Sequence, residues 1–221
     1  MSQFCQVKNS GFTGISRVLY KLAWETYFQE GVSNIDLKYW RLQVTGETKT
    51  ELPLTFDDIL NLPRISTHRR SVFVCLWSIK RHWSGVLLDD ILKLAGVDVY
   101  DDALYMKQVS HATPKGIYDS TVHMSSALKR DAMFAYEVDN AALSPEQGFP
   151  LRFHDFGLYL YKCVKSISEI NISRENNLGH WENHAGYDVD GTVQPKRYYA
   201  VDLHKKFYFD GSGEVLDHDI E

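Results

Sequence analysis

Cysteine is scarce in this chain. Cys5, Cys75 and Cys163 are the only three, an odd number without paired spacing, which excludes a disulfide framework and suits a reducing compartment. No stretch approaches the roughly 20 apolar residues of a membrane helix, and the segment Met1–Cys5 has no basic region followed by an apolar run; the chain is expected to be cytoplasmic. A surplus of positive charge is missing too. The formal net charge is −5, which argues against nucleic acid or an acidic membrane surface as partner. Lys205 and Lys206, beside Asp210, Glu214 and Asp217, do not make a basic stripe.

Several catalytic signatures are absent as well. There is no Gly-rich phosphate loop or dinucleotide fingerprint, and no C-x-x-C or H-E-x-x-H zinc motif. Gly211-Ser212-Gly213 sits in an expected turn, not between a strand and a helix as a nucleophile elbow requires. No repeat, low-complexity segment or linker interrupts the chain. With 221 residues, it is long enough for one well-buried core.

The remaining pattern is mixed. Val18, Leu19, Leu22, Ala23 and Tyr27 recur at helical spacing, predicting a helix over 16–31 that Gly31 ends. Residues 39–46 alternate as a strand, and 54–60 form a short helix capped by Thr55. Strands are expected at 71–77, 103–109, 133–138, 151–156 and 164–172. A helix is expected at 87–94 and a helical turn at 124–128, with a Thr-Pro-Lys-Gly turn at 113–116. Lys205 to Leu216 reads as a hairpin around Asp210-Gly211. The fold class is α+β.

Four segments, in order, carry a resemblance. Trp40 to Gly46 with Leu54 to Leu60 is the first. Phe73-Val74-Cys75-Leu76-Trp77 continuing to Trp83-Ser84-Gly85-Val86 is the second. Ala135-Tyr136, then Gln147-Gly148-Phe149-Pro150-Leu151-Arg152 and Lys162-Cys163-Val164-Lys165, make the third. Gly179-His180-Trp181-Glu182 through Tyr187 is the fourth. Together they resemble the molybdopterin-binding domain of the sulfite-oxidase family, of the single-domain bacterial type. The resemblance implies a sulfite-oxidase-type domain over 39–197, a helical N-terminal extension over 1–38 and a C-terminal hairpin or tail over 198–221.

It also implies a molybdenum–pterin cofactor, whose metal is held by one protein cysteine and whose phosphate is held by cations. Arg152 and Lys165 match two cofactor-contacting positions, Gln147 stands where an asparagine or histidine is usual, and Ser110 matches a polar contact. Tyr118, by the same likeness, has a phenol within reach of a substrate. The metal-binding cysteine lies four residues before the first tryptophan of the second segment, and Phe73 occupies that place here.

A phenyl ring cannot bind a metal as a thiolate does. Cys75, two residues on, is the substitute ligand and catalytic candidate if it shares the strand face of Phe73; the other reading makes it a packed core residue. The same alternation puts His154 on the face of Arg152 and Asp155 on the opposite one. That makes His154 a candidate acid or base whose charged form the neighbouring guanidinium disfavours. A structural histidine is the competing reading.

Three functions follow as expectations. The first is a molybdopterin-dependent oxidoreductase acting on a small molecule. The second is an enzyme without molybdenum, or any cofactor, reusing the pocket for cyclisation, elimination or hydrolysis of an anionic substrate. The third is a non-catalytic binding protein. In each the partner is a small, anionic molecule, with no nucleic acid and no membrane.

Overall fold

A computed structural model describes residues 34–111 and 116–220. The helix expected over 16–31 and most of the turn at 113–116 lie outside the described residues.

Two sheets organise the fold. β1 (Leu42–Gly46) and β2 (Leu52–Leu54) form an antiparallel pair at one edge of a five-stranded sheet, and α1 (Phe56–Leu60) follows. The Thr55 hydroxyl accepts from the Asp58 amide, and the Asp58 carboxylate accepts from the Thr55 amide at 2.8 Å. This reciprocal cap satisfies two of the amides that a helix start leaves open. β10 (Glu169–Ser173) runs parallel to β1, and β5 (Tyr105–Ser110) and β6 (Tyr118–His123) complete the sheet.

The larger, seven-stranded sheet is built on β3 (Ile65–Phe73) and β4 (Trp77–Leu87), paired from Ile65↔Gly85 to Phe73↔Trp77. α2 (Leu88–Leu94) follows β4, and α3 (Met124–Lys129) precedes β7 (Met133–Val138). β7 pairs with the end of β4 and with β8 (Ala141–Ala142) and β9 (Arg152–His154). After α4 (His180–Ala185), β11 (Lys196–Ala200) lies parallel to the start of β4, with β12 (Lys205–Phe209) outermost. No helix among the described residues is long and apolar enough to cross a membrane.

Side-chain alternation along the larger sheet divides its interior in two. Val72, Val86, Phe134 and Phe153 join the main core, which also takes in both faces of contact with the smaller sheet's Leu42, Ile170 and Ile172. Ile79, Trp83, Met133, Ala135 and Phe156 form a second cluster, with Ile65, Phe73 and Phe149 packed at its margin. Because neighbours on a strand face opposite ways, Val72 and Phe73 belong to different clusters.

Three expectations need correction. The strand over 71–77 is broken: β3 ends at Phe73, and 74–76 turn the chain into β4. The strand over 164–172 starts only at Glu169, because Ser166 takes a left-handed φ of 50° and donates its amide to the Gly148 carbonyl at 3.1 Å. The hairpin lies earlier than Asp210-Gly211. β11 and β12 pair from Lys196↔Phe209 to Ala200↔Lys205, and among the described residues no strand follows Phe209.

Candidate functional site

The turn between β3 and β4 places Phe73 and Cys75. Leu76 donates its amide to the Phe73 carbonyl at 3.1 Å and adopts a φ of 69°, closing a three-residue connection. Phe73 and Trp77, the last cross-strand pair, stack with ring centroids 3.7 Å apart and planes 11° from parallel. Phe73 therefore packs at the second cluster. Cys75 sits in the turn and is exposed. Face sharing between residues two apart holds only inside a strand, so the shared face expected of Phe73 and Cys75 is not formed. That expectation fails.

β9 carries the residues that do converge. Ala135↔Arg152 and Met133↔His154 are opposed in the β7–β9 ladder, so both side chains lie over the second cluster. The Arg152 guanidinium is 5.2 Å from the Trp83 ring centre, and its Nη1 donates to the Gln147 carbonyl at 3.0 Å. The His154 ring is 4.0 Å from Trp83 and stacks on Phe156 at 5.1 Å. Arg69 of β3 also packs on Phe156, its guanidinium 4.4 Å from the ring centre. Asp155 faces away and takes a two-pronged ion pair from Arg130 at 2.6 and 2.7 Å. The alternation argument for Arg152, His154 and Asp155 holds.

His154 is 0% exposed, and neither ring nitrogen has a hydrogen-bond partner among the described residues. Burial drives its pKa well below 6.5, and the cations Arg152, Arg69 and Lys165 push the same way. The imidazole is neutral at physiological pH. Burial also brings Arg152 down to about 10, which leaves it cationic. A buried imidazole with both nitrogens unsatisfied is costly.

Lys165 and Arg152 are held by one short turn, Pro145–Gly148. Lys165 Nζ donates to the Glu146 carbonyl at 2.7 Å, next to the Gln147 carbonyl that Arg152 uses. Gly148, at a φ of 105°, leaves room there: a Cβ on it would meet the Lys165 Cβ at 2.9 Å. The Gln147 side chain does not face a ligand; its Oε1 accepts from the Ser144 amide at 2.8 Å and closes the turn.

Ser110 and Tyr118 also serve the scaffold. The Ser110 hydroxyl donates to the Ser166 carbonyl at 2.8 Å, and the Tyr118 phenol donates to the Tyr161 carbonyl at 3.1 Å. Both hold the 160–166 segment. Sequence reasoning missed two features. Lys162 Nζ and Glu182 Oε1 form a buried ion pair at 2.5 Å, each side chain 1% exposed. Both residues stand in the quoted motifs, but a separation of 20 residues carries no local signal. Arg69 was the second, legible in principle from its even spacing to Phe73 along β3.

The order of these elements matches known proteins. Residues 29–181 match the family described as the oxidoreductase molybdopterin binding domain. The chain belongs to this family. It is 32% identical over 157 residues to the uncharacterized oxidoreductase YuiH of Bacillus subtilis, covering 71% of this chain and 76% of that one. It is 25% identical over 163 residues to the protein-methionine-sulfoxide reductase catalytic subunit MsrP of Campylobacter jejuni, covering 69% and 55%. Human mitochondrial sulfite oxidase is 26% identical over 175 residues, covering 68% and 32%. The chain thus spans less than two thirds of these last two. The sulfane dehydrogenase SoxCD of Paracoccus pantotrophus shares the fold, with a TM-score of 0.58, 16% identity and 81% of this chain covered against 46% of that one.

The residues present fit only part of a molybdenum–pterin cofactor. Arg152, Lys165 and Arg69 gather positive charge around a buried, unsatisfied imidazole, which suits an anionic group. At the metal side, the ring of Phe73 lies stacked where a thiolate would be needed, and among the described residues no three His, Cys, Asp or Glu are grouped to hold a metal. Among the described residues, molybdenum bonded to a protein sulfur does not fit this pocket.

Proposed function

We propose that this family member binds an anionic small molecule between β9 and the Pro145–Gly148 turn, without a protein sulfur bonded to molybdenum, and that His154 moves a proton in a non-redox reaction on it. One observation carries the proposal: an imidazole fully buried, kept neutral by that burial and then by Arg152, Arg69 and Lys165, with neither nitrogen satisfied among the described residues. A neutral imidazole offers one donor and one acceptor. Beside Arg152, the anionic group of a substrate would be oriented while His154 takes a proton from it or returns one. The supply of cations in a site closed to water strengthens this grip.

A second reading keeps the oxidoreductase chemistry of the family. It is favoured by the match over residues 29–181; Arg152 and Lys165 would then face the pterin phosphate, and solvent would take the place of the thiolate.

The two readings separate on the natively produced protein. Its molybdenum and pterin content is measured, together with its thermal stability in inorganic phosphate and in small carboxylates. The proposal expects no stoichiometric molybdenum and an anion-dependent stabilisation that Arg152→Gln removes. One molybdenum per chain would return the protein to the second reading. Stabilisation that persists in Arg152→Gln would place the anion elsewhere, and full cellular function in His154→Gln would leave a binding protein without catalysis.

A further inference from the structure

Away from this site, the opposite face of the β3–β4 pair presents a second cluster of chemistry. His68 and His82 are directly opposed in the antiparallel ladder, and both are exposed. Their rings stack with centroids 3.8 Å apart and planes 6° from parallel. Lys80, on the same face, is ion-paired with Asp217, and Asp139, which pairs with Arg81, accepts from the His82 amide at 3.1 Å. Buried Arg70, on the same face, is held by Asp202 at 2.6 Å.

From this placement we infer that His68 and His82 form a two-imidazole site for a divalent transition-metal ion, Cu²⁺ in first preference. Directly opposed residues of an antiparallel pair hold their Cβ atoms about 4.5–5.5 Å apart. Imidazole–metal bonds of about 2.0–2.1 Å are then met by a modest tilt of two exposed rings, whose terminal torsions are soft. Imidazole is a good ligand for copper, nickel and zinc, and copper binds most tightly among them.

The electrostatics agree. Partial burial, then His82 and Lys80, lower the pKa of His68, against the opposing pull of Asp217 and Asp139. Ligation uses the neutral imidazole, and Asp217 and Asp139 stay engaged with Lys80 and Arg81. Water completes the coordination. The other histidine pair at ligand spacing, His180 and His184 on α4, is a poorer candidate, since His180 Nε2 is buried.

The site is independent of the function proposed above, and its test does not touch that pocket. Cu²⁺ is titrated calorimetrically into the full chain at pH 7.5 in a non-coordinating buffer, for wild type, His68→Ala, His82→Ala and His184→Ala. One tight site is expected, weakened about tenfold or more by either of the first two changes and unchanged by the third. Electron paramagnetic resonance should show two coupled imidazole nitrogens in wild type and one in each single variant. Absence of a tight site, or one that survives in the His68→Ala, His82→Ala double variant, would overturn the inference. Both residues are exposed, so the variants are expected to fold.

Discussion

His154 gives the protein a specific acid sensitivity. Its folded pKa is depressed by burial first and by Arg152, Arg69 and Lys165 after that, whereas in the unfolded chain it returns to about 6.5. Between the two values the unfolded state binds the extra proton, so protonation favours unfolding. The stability associated with a neutral His154 is complete above about pH 6.5 and is lost as pH falls from there toward the folded value. Chemical denaturation of wild type and His154→Gln from pH 7.5 to 5 should show the wild type losing more stability, and equal slopes would contradict it. The Lys162–Glu182 pair makes a different prediction. Removing one partner leaves a buried charge uncompensated, so Lys162→Met or Glu182→Gln should each destabilise by roughly 3–5 kcal/mol. The double variant Lys162→Met, Glu182→Leu should recover most of that loss in urea unfolding.

Among the elements, β4 carries the most constraint, since β3 pairs along one side while β11 and β7 share the other. Its register with β7 shifts between Ser84 and Gly85. A Cβ at Gly85 would stand 2.0 Å from the Phe134 carbonyl oxygen, and backbone cannot give way as a flexible side chain can. Gly85→Ala is expected to destabilise by about 1–3 kcal/mol or more, read from the urea midpoint. The glycine of the Trp83-Ser84-Gly85-Val86 motif is thus explained by strand crowding. The misplaced hairpin has an equally concrete cause. Asp210-Gly211 does turn the chain, with Asp210 Oδ1 accepting from the Ser212 amide at 2.8 Å and Gly211 at a φ of 94°. No strand returns because Glu214 is drawn to Arg69, with Nε–Oε2 at 2.8 Å, and Val215 enters the main core. The pairing turn, at 201–204, instead uses His204 at a φ of 53°, which no glycine announced.

For the whole molecule, the segment expected to be a C-terminal appendage is part of the larger sheet. Tyr198, Phe207 and Phe209 are buried in the main core, and the Tyr198 phenol meets that of Tyr159 at 2.7 Å. Burial of such side chains stabilises by about 1.5–3 kcal/mol each, so three of them approach the ~5–15 kcal/mol margin of an ordinary domain. Deleting residues 196–220 should abolish the cooperative thermal transition, as followed by near-ultraviolet circular dichroism; a retained sharp transition would show that the rest folds alone. Asp202 and Asp217 strengthen the same connection, through Arg70 at 2.6 Å and through Lys80.

The sequence by itself determined the family, the α+β class, the cap at Thr55 and the shared face of Arg152 and His154. Each of these rests on local spacing or on motifs in fixed order, and strand alternation needs no partner to be predicted. Tertiary structure alone decided the fate of Cys75, because a turn set by Phe73 stacking on Trp77 cancels the alternation on which its role depended. It also decided the pairing of Lys162 with Glu182, the approach of Arg69 to Phe156 and the complete burial of His154. Those depend on which strands lie side by side, and contacts across long separations in the chain leave no periodic trace in it.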